Sequence, residues 1–506
     1  VVAQIEEGAL QQPLVDFTGG YRAFGPLVVG DPQQFTRLLN AIVDDGSARK
    51  RGGYAKLNAA AFADGGPVES LYFTSGLATN VVLATANTRL YKITTGGAVT
   101  TIAATLPAAK RNSFAEFRTG GVNYVLIFNA SSAPSKWDGA AFTAAAGPVD
   151  NCAIVAVHKQ RVWATGSTAN PQRIYISDPQ ALAWNAAASF DVPDGPSAGN
   201  PKALIPLGQT MVWFTERATY RTFGSDPGIS STGGTGQMDL ENKKLADVGL
   251  VSPRAAVRVE DTIFFLGTRN GYYGIFMMQG NGVDELGVHI SDDLNSINTA
   301  ALEAACAIQI DKHVFFAFPT GVAGDTNFGV LLHLEVARQK PFAKWIFGAM
   351  PRCMARDALT GQVYWGDQAA GQVWKMTPTT YNDNTANIDM DLMSGPITFD
   401  APLDVKLLDS LILHAKAVVG DSLSIEFALD GATVFTALPT SPYVGAATGI
   451  FEDDQGGATV TWADVLPITK HFGPDARARV FRLRFRSNST NYCEIQRALL
   501  LAHKEE

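Results

Sequence analysis

The stretch Thr-Ile-Phe-Phe-Leu-Gly at residues 262–267 has the β-branched and aromatic composition of a short strand, and similar stretches recur along most of the chain. Each copy can be anchored on one branched residue: Val82, Val125, Val162, Val212, Ile263, Val314 and Val363. Successive anchors lie 43, 37, 50, 51, 51 and 49 residues apart. Short strands that recur every roughly 40 to 50 residues are typical of β-propeller blades. The repeat therefore predicts a β-propeller of about 6 to 8 blades.

Each repeat extends on both sides of this central strand. A polar turn and a second strand follow it, as at residues 272–276, which predicts a hairpin. A strand of small apolar residues precedes it, as at residues 255–259. Small side chains suit the innermost strand, where blades crowd together. At least three strands per repeat are thus predicted, and unrelated hairpins of a β-sandwich are the alternative.

The regions outside the repeat have a different character. Residues 1–65 do not repeat, and we expect them to close or brace the propeller of residues 66–380; residues 31–42 indicate one or two helical turns. Residues 381–396 are polar and indicate a linker. Strict alternation of polar and apolar residues from Phe481 to Arg486 favours a half-exposed sheet. We therefore predict a C-terminal β-sandwich over residues 397–506, and an all-β chain throughout.

The bulk composition narrows the class of protein. Hydrophobic residues make up 46% of the chain, charged residues 17%, and the formal net charge is −8. An acidic chain is no obvious nucleic-acid binder as a whole. The first residues indicate no export signal and no 18-residue apolar run occurs, so we expect a soluble protein without a membrane anchor. The four scattered cysteines are expected to be buried free thiols: Cys152, Cys306, Cys353 and Cys493.

Catalytic chemistry finds little support in the sequence. The seven histidines show no metal-ligand spacing, and no nucleophile elbow or phosphate-binding loop occurs. A glycosidase would need a pair of carboxylates at the strand ends. The carboxylates at such positions are Asp178, Glu216, Asp226 and Asp367. We predict no enzyme activity, catalytic residue, cofactor or metal.

Two groups of basic residues are candidate contacts to DNA or to a partner subunit. The first is the run Arg49-Lys50-Arg51. In the second, strand alternation places Arg482, Arg484 and Arg486 on one face of a sheet. For both groups the alternative is an ordinary solvated surface.

The opening of the chain carries a pattern of leucine-asparagine, then glycine, then arginine before two glycines. Its residues are Gly19-Gly20-Tyr21, Leu38-Leu39-Asn40, Asp45-Gly46 and Arg49-Lys50-Arg51-Gly52-Gly53-Tyr54. This pattern resembles the start of the tail nozzle (tubular protein B-like) and tail hub proteins of short-tailed bacteriophages. Residues 173–178 with Trp184, and residues 251–254 with 262–267, are similar to propeller strands of the same proteins.

The resemblance implies a structural virion protein that is assembled in the host cytoplasm. Such a nozzle forms a homohexameric ring below the adaptor on the portal, extends the DNA channel, retains the genome until ejection and docks tail fibres or spikes. Aromatic loops are the expected interface anchors: Tyr272, Tyr273, Phe342 and Trp345. The rival hypotheses are a carbohydrate-binding or carbohydrate-cleaving propeller, and a receptor-binding adhesin without catalysis.

Overall fold

The computed structural model describes fourteen ranges of the chain. They are residues 10–14, 20–21, 35–44, 46–103, 105–107, 111–226, 239–321, 326–334, 342–417, 422–430, 432–438, 443–444, 466–472 and 476–504. Strands dominate these ranges, as the sequence predicts. The helical segments described are the α-helix Ser291–Asn295 and the 3-10 helices Gly195–Ala198, Gly287–Ile290 and Thr299–Ala304.

Seven antiparallel four-stranded units are found among the described residues, here numbered units 1 to 7. Unit 1 consists of Val68–Phe73, Val82–Ala86, Arg89–Ile93 and Val99–Ala103, and unit 2 of Ser113–Thr119, Val122–Asn129, Ser132–Trp137 and Phe142–Ala144. Unit 3 consists of Ile154–His158, Arg161–Thr165, Arg173–Ser177 and Trp184–Asp191, and unit 4 of Pro201–Leu207, Thr210–Thr215, Thr219–Asp226 and Asp239–Ala246. Unit 5 consists of Ala256–Val259, Thr262–Arg269, Tyr272–Gln279 and Gly282–Glu285, and unit 6 of Cys306–Ile310, His313–Phe318, Phe328–His333 and Phe342–Trp345. Unit 7 consists of Pro351–Arg356, Val363–Asp367, Val373–Thr377 and Gly53–Lys56. Gly249–Leu250 adds a short strand to unit 5.

Each of the seven sequence anchors lies in the second strand of its unit, so the repeat marks real structural units. These second strands are mostly buried, and His313–Phe318 is buried throughout, because they have neighbouring strands on both edges and side chains packed on both faces. The first strands of units 2, 3 and 4 pack on one another in order, as do those of units 5, 6, 7 and 1. Units 4 and 5 meet where the second strand of unit 4 packs on Gly249–Leu250 and where their fourth strands pack on each other. Asn112 N, beside the first strand of unit 2, donates to Ser70 Oγ of unit 1. The series of units therefore returns to its start.

The fourth strand of unit 7 comes from the opposite end of the chain. Gly53–Lys56 pairs antiparallel with Val373–Thr377. Phe35–Leu39 pairs with Phe342–Trp345 of unit 6 on one side and with Ala386–Ser394 on the other. The early strands thus tie units 6 and 7 to the C-terminal region.

The expectation of a helical turn over residues 31–42 is wrong. Residues 31–34 lie outside the described residues, while Phe35–Leu39 and Ala41–Asp44 are strands. Asn40 between them has a positive φ of 53°, a left-handed conformation that asparagine tolerates better than most residues. Burial against two sheets overrides the local helical pattern here.

The C-terminal region contains two sheets that share one hydrophobic cluster with units 5 to 7. The remaining strands are Leu10–Leu14, Ser47–Lys50, Asn382–Asp383, Ala386–Ser394, Lys406–Ala417, Ser422–Leu429, Thr436–Ala437, Tyr443–Val444, Leu466–His471, Arg477–Ala478, Phe481–Ser489 and Cys493–Lys504. In Phe481–Ser489 the odd-numbered residues are buried and the arginines face outward, which confirms the predicted alternation. Cys152, Cys306, Cys353 and Cys493 are buried free thiols, as predicted.

The segment predicted to be a linker contains a nine-residue strand, Ala386–Ser394. This strand pairs on both edges, with Phe35–Leu39 and with Phe481–Ser489. Its sequence looks polar because two of its aspartates, Asp389 and Asp391, face arginines of neighbouring strands. Composition alone does not reveal such partners.

Candidate functional site

Arg51 is the centre of a buried junction between the early strands, units 6 and 7 and the C-terminal region. Its side chain is 0% exposed and uses all five of its N–H donors. Nη1 and Nη2 donate to the two carboxylate oxygens of Asp383, at 2.8 and 2.6 Å. Nε donates to Asn40 Oδ1 at 3.0 Å, and the remaining two donors reach the carbonyl oxygens of Gly52 (3.0 Å) and Ile346 (2.8 Å). We call the set Asn40, Arg51, Gly52, Gly53, Tyr54 and Asp383 the Arg51 joint.

The two glycines of the joint let their backbone approach residues 378–382, the segment that follows the third strand of unit 7. A Cβ placed on Gly53 would lie 1.8 Å from the carbonyl oxygen of Asn382. A Cβ on Gly52 would lie 2.7 Å from Cα of Pro378. Both neighbours are backbone atoms, so neither can rotate aside. The Gly-Gly pair is therefore required for close packing rather than for flexibility.

Tyr54 closes the joint on the apolar side. Its ring packs edge-on against Phe347, Trp365 and Trp374, with centroid distances of 5.7, 5.1 and 5.2 Å. Its hydroxyl accepts a hydrogen bond from Ala349 N at 2.9 Å. Burial raises the pKa of Tyr54 to about 12, so the hydroxyl is neutral at physiological pH.

The basic run that holds Arg51 faces mainly inward. Lys50 is also buried, and its Nζ donates to Ser487 Oγ (2.7 Å) and Ser489 Oγ (3.1 Å). Arg49 points the other way, is 32% exposed and lies 3.7 Å from Asp44. The sequence suggested all three as partner or DNA contacts; in the structure Lys50 and Arg51 are committed to internal bonds. Gly19 and Asp45, which belong to the same sequence pattern, lie outside the described residues.

Two of the arginines on the C-terminal sheet face carboxylates of the neighbouring strand. Arg484 binds Asp391 through two bonds of 2.8 and 2.7 Å, and Arg37 reaches the same carboxylate at 2.8 Å. Asp391 is fully buried, so it holds both guanidinium groups in place. Arg486 lies 3.5 Å from Asp389. The charges of these two arginines are thus balanced within the chain.

Arg482 contacts a different part of the same face. It donates to the carbonyl oxygen of Ala432, and its guanidinium carbon lies 5.6 Å from the ring centre of Phe435. Arg484 lies 5.7 Å from the same ring. This face has a partly apolar cover in addition to its ion pairs.

The aromatic residues predicted as interface anchors divide into two pairs. Tyr272 is 37% exposed, and Tyr273 beside it is half-buried. Phe342 and Trp345 are fully buried in the last strand of unit 6, and Trp345 Nε1 donates to Ala41 O at 2.8 Å. Of the four, Tyr272 presents the largest surface to a partner, whereas Phe342 and Trp345 fill the core.

A second site was missed at the level of sequence. Six of the seven units place a charged residue close to the start of the first strand, between three residues before its first residue and one residue after it. We call these residues the first-strand cluster. They are Glu69, Arg111, Lys202, Arg254, Glu303 and Arg352. Aligning the repeats on their first strands, instead of their second, would have revealed this recurring charge.

Ion pairs connect the first-strand cluster across units that are distant in sequence. Glu303 binds Lys202 at 2.6 Å and lies 3.6 Å from Arg111. Arg352 binds the carboxylate of Glu69 at 3.1 Å, and Arg254 Nη1 donates to the carbonyl oxygen of Glu69 at 2.8 Å. The starts of these first strands therefore converge on one place.

A cavity of about 500 Å³ lies at this convergence, between the first strands of units 2 to 5. Arg111, Lys202, Arg254, Glu216 and Glu303 contribute its charged lining. Burial, together with the neighbouring charge of Arg254, lowers the pKa of Arg111 to about 10. The described residues contain no group of three or more histidines, cysteines and carboxylates arranged to hold a metal ion.

Comparisons with known proteins add little to this geometry. No protein-family model matches the chain, and no curated protein matches it in sequence. The solved structure of U3-55K is similar to the chain with a TM-score of 0.36 and 8% identity, over 63% of this chain and 99% of that chain. A likeness this weak carries no argument about fold or function. In the part of the chain that the structure describes, no helix is both long and apolar enough to cross a membrane.

Proposed function

We propose that the chain is a structural subunit of a bacteriophage tail, a nozzle protein that forms a ring below the portal and adaptor and extends the DNA channel. In this proposal the seven units are the blades of a seven-bladed β-propeller. Gly53–Lys56 closes the last blade, and the C-terminal sheets form a β-sandwich. Six copies build the ring, and tail fibres or spikes dock around it.

The observation that carries the proposal is the identity of the residues in the Arg51 joint. The early pattern that resembles nozzle proteins contains Asn40, Arg51, Gly52, Gly53 and Tyr54, and all five meet in this joint. The pattern therefore has a mechanical meaning, because it fastens the repeating units to the C-terminal sheets. A wall that retains a pressurised genome needs such a rigid connection.

The charge distribution suits a channel through which DNA slides. The chain carries a net charge of −8, and Arg484 and Arg486 are paired with aspartates. A basic lining would hold the phosphate backbone, since each neutralised phosphate releases counterions and strengthens binding. An acidic or neutral lining lets the duplex pass.

Electron microscopy of the purified chain, alone and mixed with the adaptor protein encoded beside it, tests the proposal. We expect rings of six subunits on the adaptor, and native mass spectrometry should give six times 53.9 kDa for the ring. The matched measurement is polysaccharide cleavage and glycan binding by the same preparation. A chain that stays monomeric with the adaptor and cleaves or binds host polysaccharide would overturn the proposal and favour a glycosidase or an adhesin.

A further inference from the structure

We propose that the cavity at the first-strand cluster is a binding site for a small oxyanion, namely the phosphate or carboxylate group of a small molecule. This inference stands on the cavity alone and does not depend on the proposed role in a phage tail. A volume of about 500 Å³ lies within the range of roughly 300 to 1,000 Å³ that is usual for small-molecule sites. Its lining combines apolar side chains such as Ile154 and Leu204 with the polar residues Asn112, Ser113 and Asn200.

The charges around the cavity do not balance. Among the described residues the cluster and the cavity lining bring together four cations, Arg111, Lys202, Arg254 and Arg352, and three carboxylates, Glu69, Glu216 and Glu303. Arg352 forms an ion pair with Glu69, while Lys202 lies 2.6 Å from Glu303 and 3.7 Å from Glu216. One positive charge is left over, which favours an anionic ligand.

Arg254 is the cation without a carboxylate. Its Nη1 donates to the carbonyl oxygen of Glu69, but its buried Nε and Nη2 have no acceptor among the described residues. Nη1 of Arg111 is also buried without a hydrogen bond, although the carboxylate of Glu303 lies 3.6 Å from it. Buried donors are nearly always hydrogen-bonded, so these N–H groups can donate to a ligand that enters the cavity. A phosphate or carboxylate group does so best, because its oxygens match the fork of a guanidinium group.

The neighbouring cations give the ligand a second source of stabilisation. Arg254 and Arg352 both lower the pKa of Arg111, so these side chains repel one another across the site. An oxyanion among them removes that repulsion and forms charge-assisted hydrogen bonds at the same time.

Isothermal titration calorimetry with inorganic phosphate and, separately, with citrate tests the site in the full chain at constant ionic strength. We expect saturable binding of at least one of the two ions; the one that binds more tightly identifies the oxyanion as phosphate or carboxylate. Arg254→Gln should weaken binding about tenfold or more, because a charge-assisted bidentate contact is lost. Glu303→Gln should tighten it about threefold or more, because a carboxylate that repels the ligand is removed.

Arg118→Gln is the matched control, since Arg118 is an exposed arginine at the far end of the same strand that begins beside Arg111. Its affinity should equal that of the wild type. If Arg254→Gln does not fold, as judged by circular dichroism, Arg111→Gln tests the same cavity from a different unit. The inference is overturned if neither ion binds saturably, if the cavity variants bind as tightly as Arg118→Gln, or if Glu303→Gln binds more weakly.

Discussion

Replacing Arg51 by methionine should destabilise the whole chain by about 3–5 kcal/mol, because it leaves the carboxylate of Asp383 in a buried place without its cation. Asp383 is only 9% exposed at its side chain, so water cannot replace the two lost bonds. The carbonyl oxygens of Gly52 and Ile346 and Asn40 Oδ1 each lose a donor as well. Methionine fills much of the volume, so the loss is mainly electrostatic.

The expected change in melting temperature follows from the length of the chain. Unfolding entropy is roughly 2.1 cal/mol/K per residue, so a cooperative unit of 506 residues shifts by about 1 °C for each kcal/mol. Arg51→Met should therefore lower the midpoint by about 3–5 °C in differential scanning calorimetry. Arg51→Lys should lose nearly as much, because an ammonium group cannot reproduce the planar two-pronged contact with Asp383.

A double-mutant cycle separates the ion pair from general disruption. In Arg51→Met/Asp383→Asn the unpaired buried charge is gone, so the double variant should be about 1–3 kcal/mol more stable than the sum of the single losses. Arg118→Met, at an exposed arginine, is the control and should leave the midpoint unchanged. The reasoning is refuted if Arg51→Met melts within 1 °C of the wild type (about 1 kcal/mol on this scale), or if the two single losses simply add.

Three further predictions follow from other contacts. Gly53→Ala should cost about 3 kcal/mol or more, because its Cβ would overlap the backbone of Asn382 and force the strand away; thermal unfolding measures the loss. Burial lowers the pKa of His313 to about 4, so between pH 6.5 and 4 the unfolded chain binds a proton that the folded chain does not. Stability should therefore fall by about 1.4 kcal/mol per pH unit on acidification through this window, and His313→Phe should remove that contribution from the measured slope. Asp391→Asn should cost about 2–3 kcal/mol, because Arg37 and Arg484 lose the shared negative charge and one of its two acceptor oxygens, although Arg37 is partly screened by solvent.

Each of these has a control within the chain. Gly282→Ala is the control for Gly53, because Gly282 also lacks a positive φ but a Cβ added there would come no closer than 3.7 Å to any atom. His471→Phe, at an exposed histidine, should leave the pH slope unchanged. Equal losses for the two glycine variants, or parallel pH curves for His313→Phe and the wild type, would contradict the structural explanation. Asp284→Asn, at an exposed carboxylate, is the comparison for Asp391 and should cost less than half as much.

The repeat could be detected in the sequence because the second strand of each unit packs against other residues on both of its faces. The position that Val314 occupies in unit 6 is buried, so the equivalent position in each unit favours a branched or aromatic residue. The spacing of these residues along the chain therefore follows the spacing of the units. The fourth strand of unit 7 gave no such signal. Gly53–Lys56 has the sequence Gly-Tyr-Ala-Lys, which contains no run of branched residues, and only its pairing with Val373–Thr377 makes it a strand.

The basic residues were harder to interpret for a related reason. A run of positive charge is usually solvated, and Arg51 departs from that rule only because Asp383, far along the chain, lies opposite it. Arg484 likewise depends on Asp391. Sequence patterns record local periodicity, whereas ion pairs between distant segments appear only once the fold brings those segments together.

The Arg51 joint and the pairing that completes unit 7 together hold the early strands against the end of the series of units. Joining Gly53–Lys56 to Val373–Thr377 closes a very long loop, but the entropic cost of closing a loop grows only slowly, by about 0.6 kcal/mol for each doubling of its length. The strand pairing and the buried bonds of Arg51 outweigh that increment. Once they form, none of the seven units is a free end, so opening any one of them requires breaking contacts with two neighbours. In the ring that we propose, a force applied at one unit would pass to both of its neighbours, so the arrangement suits a subunit that bears load.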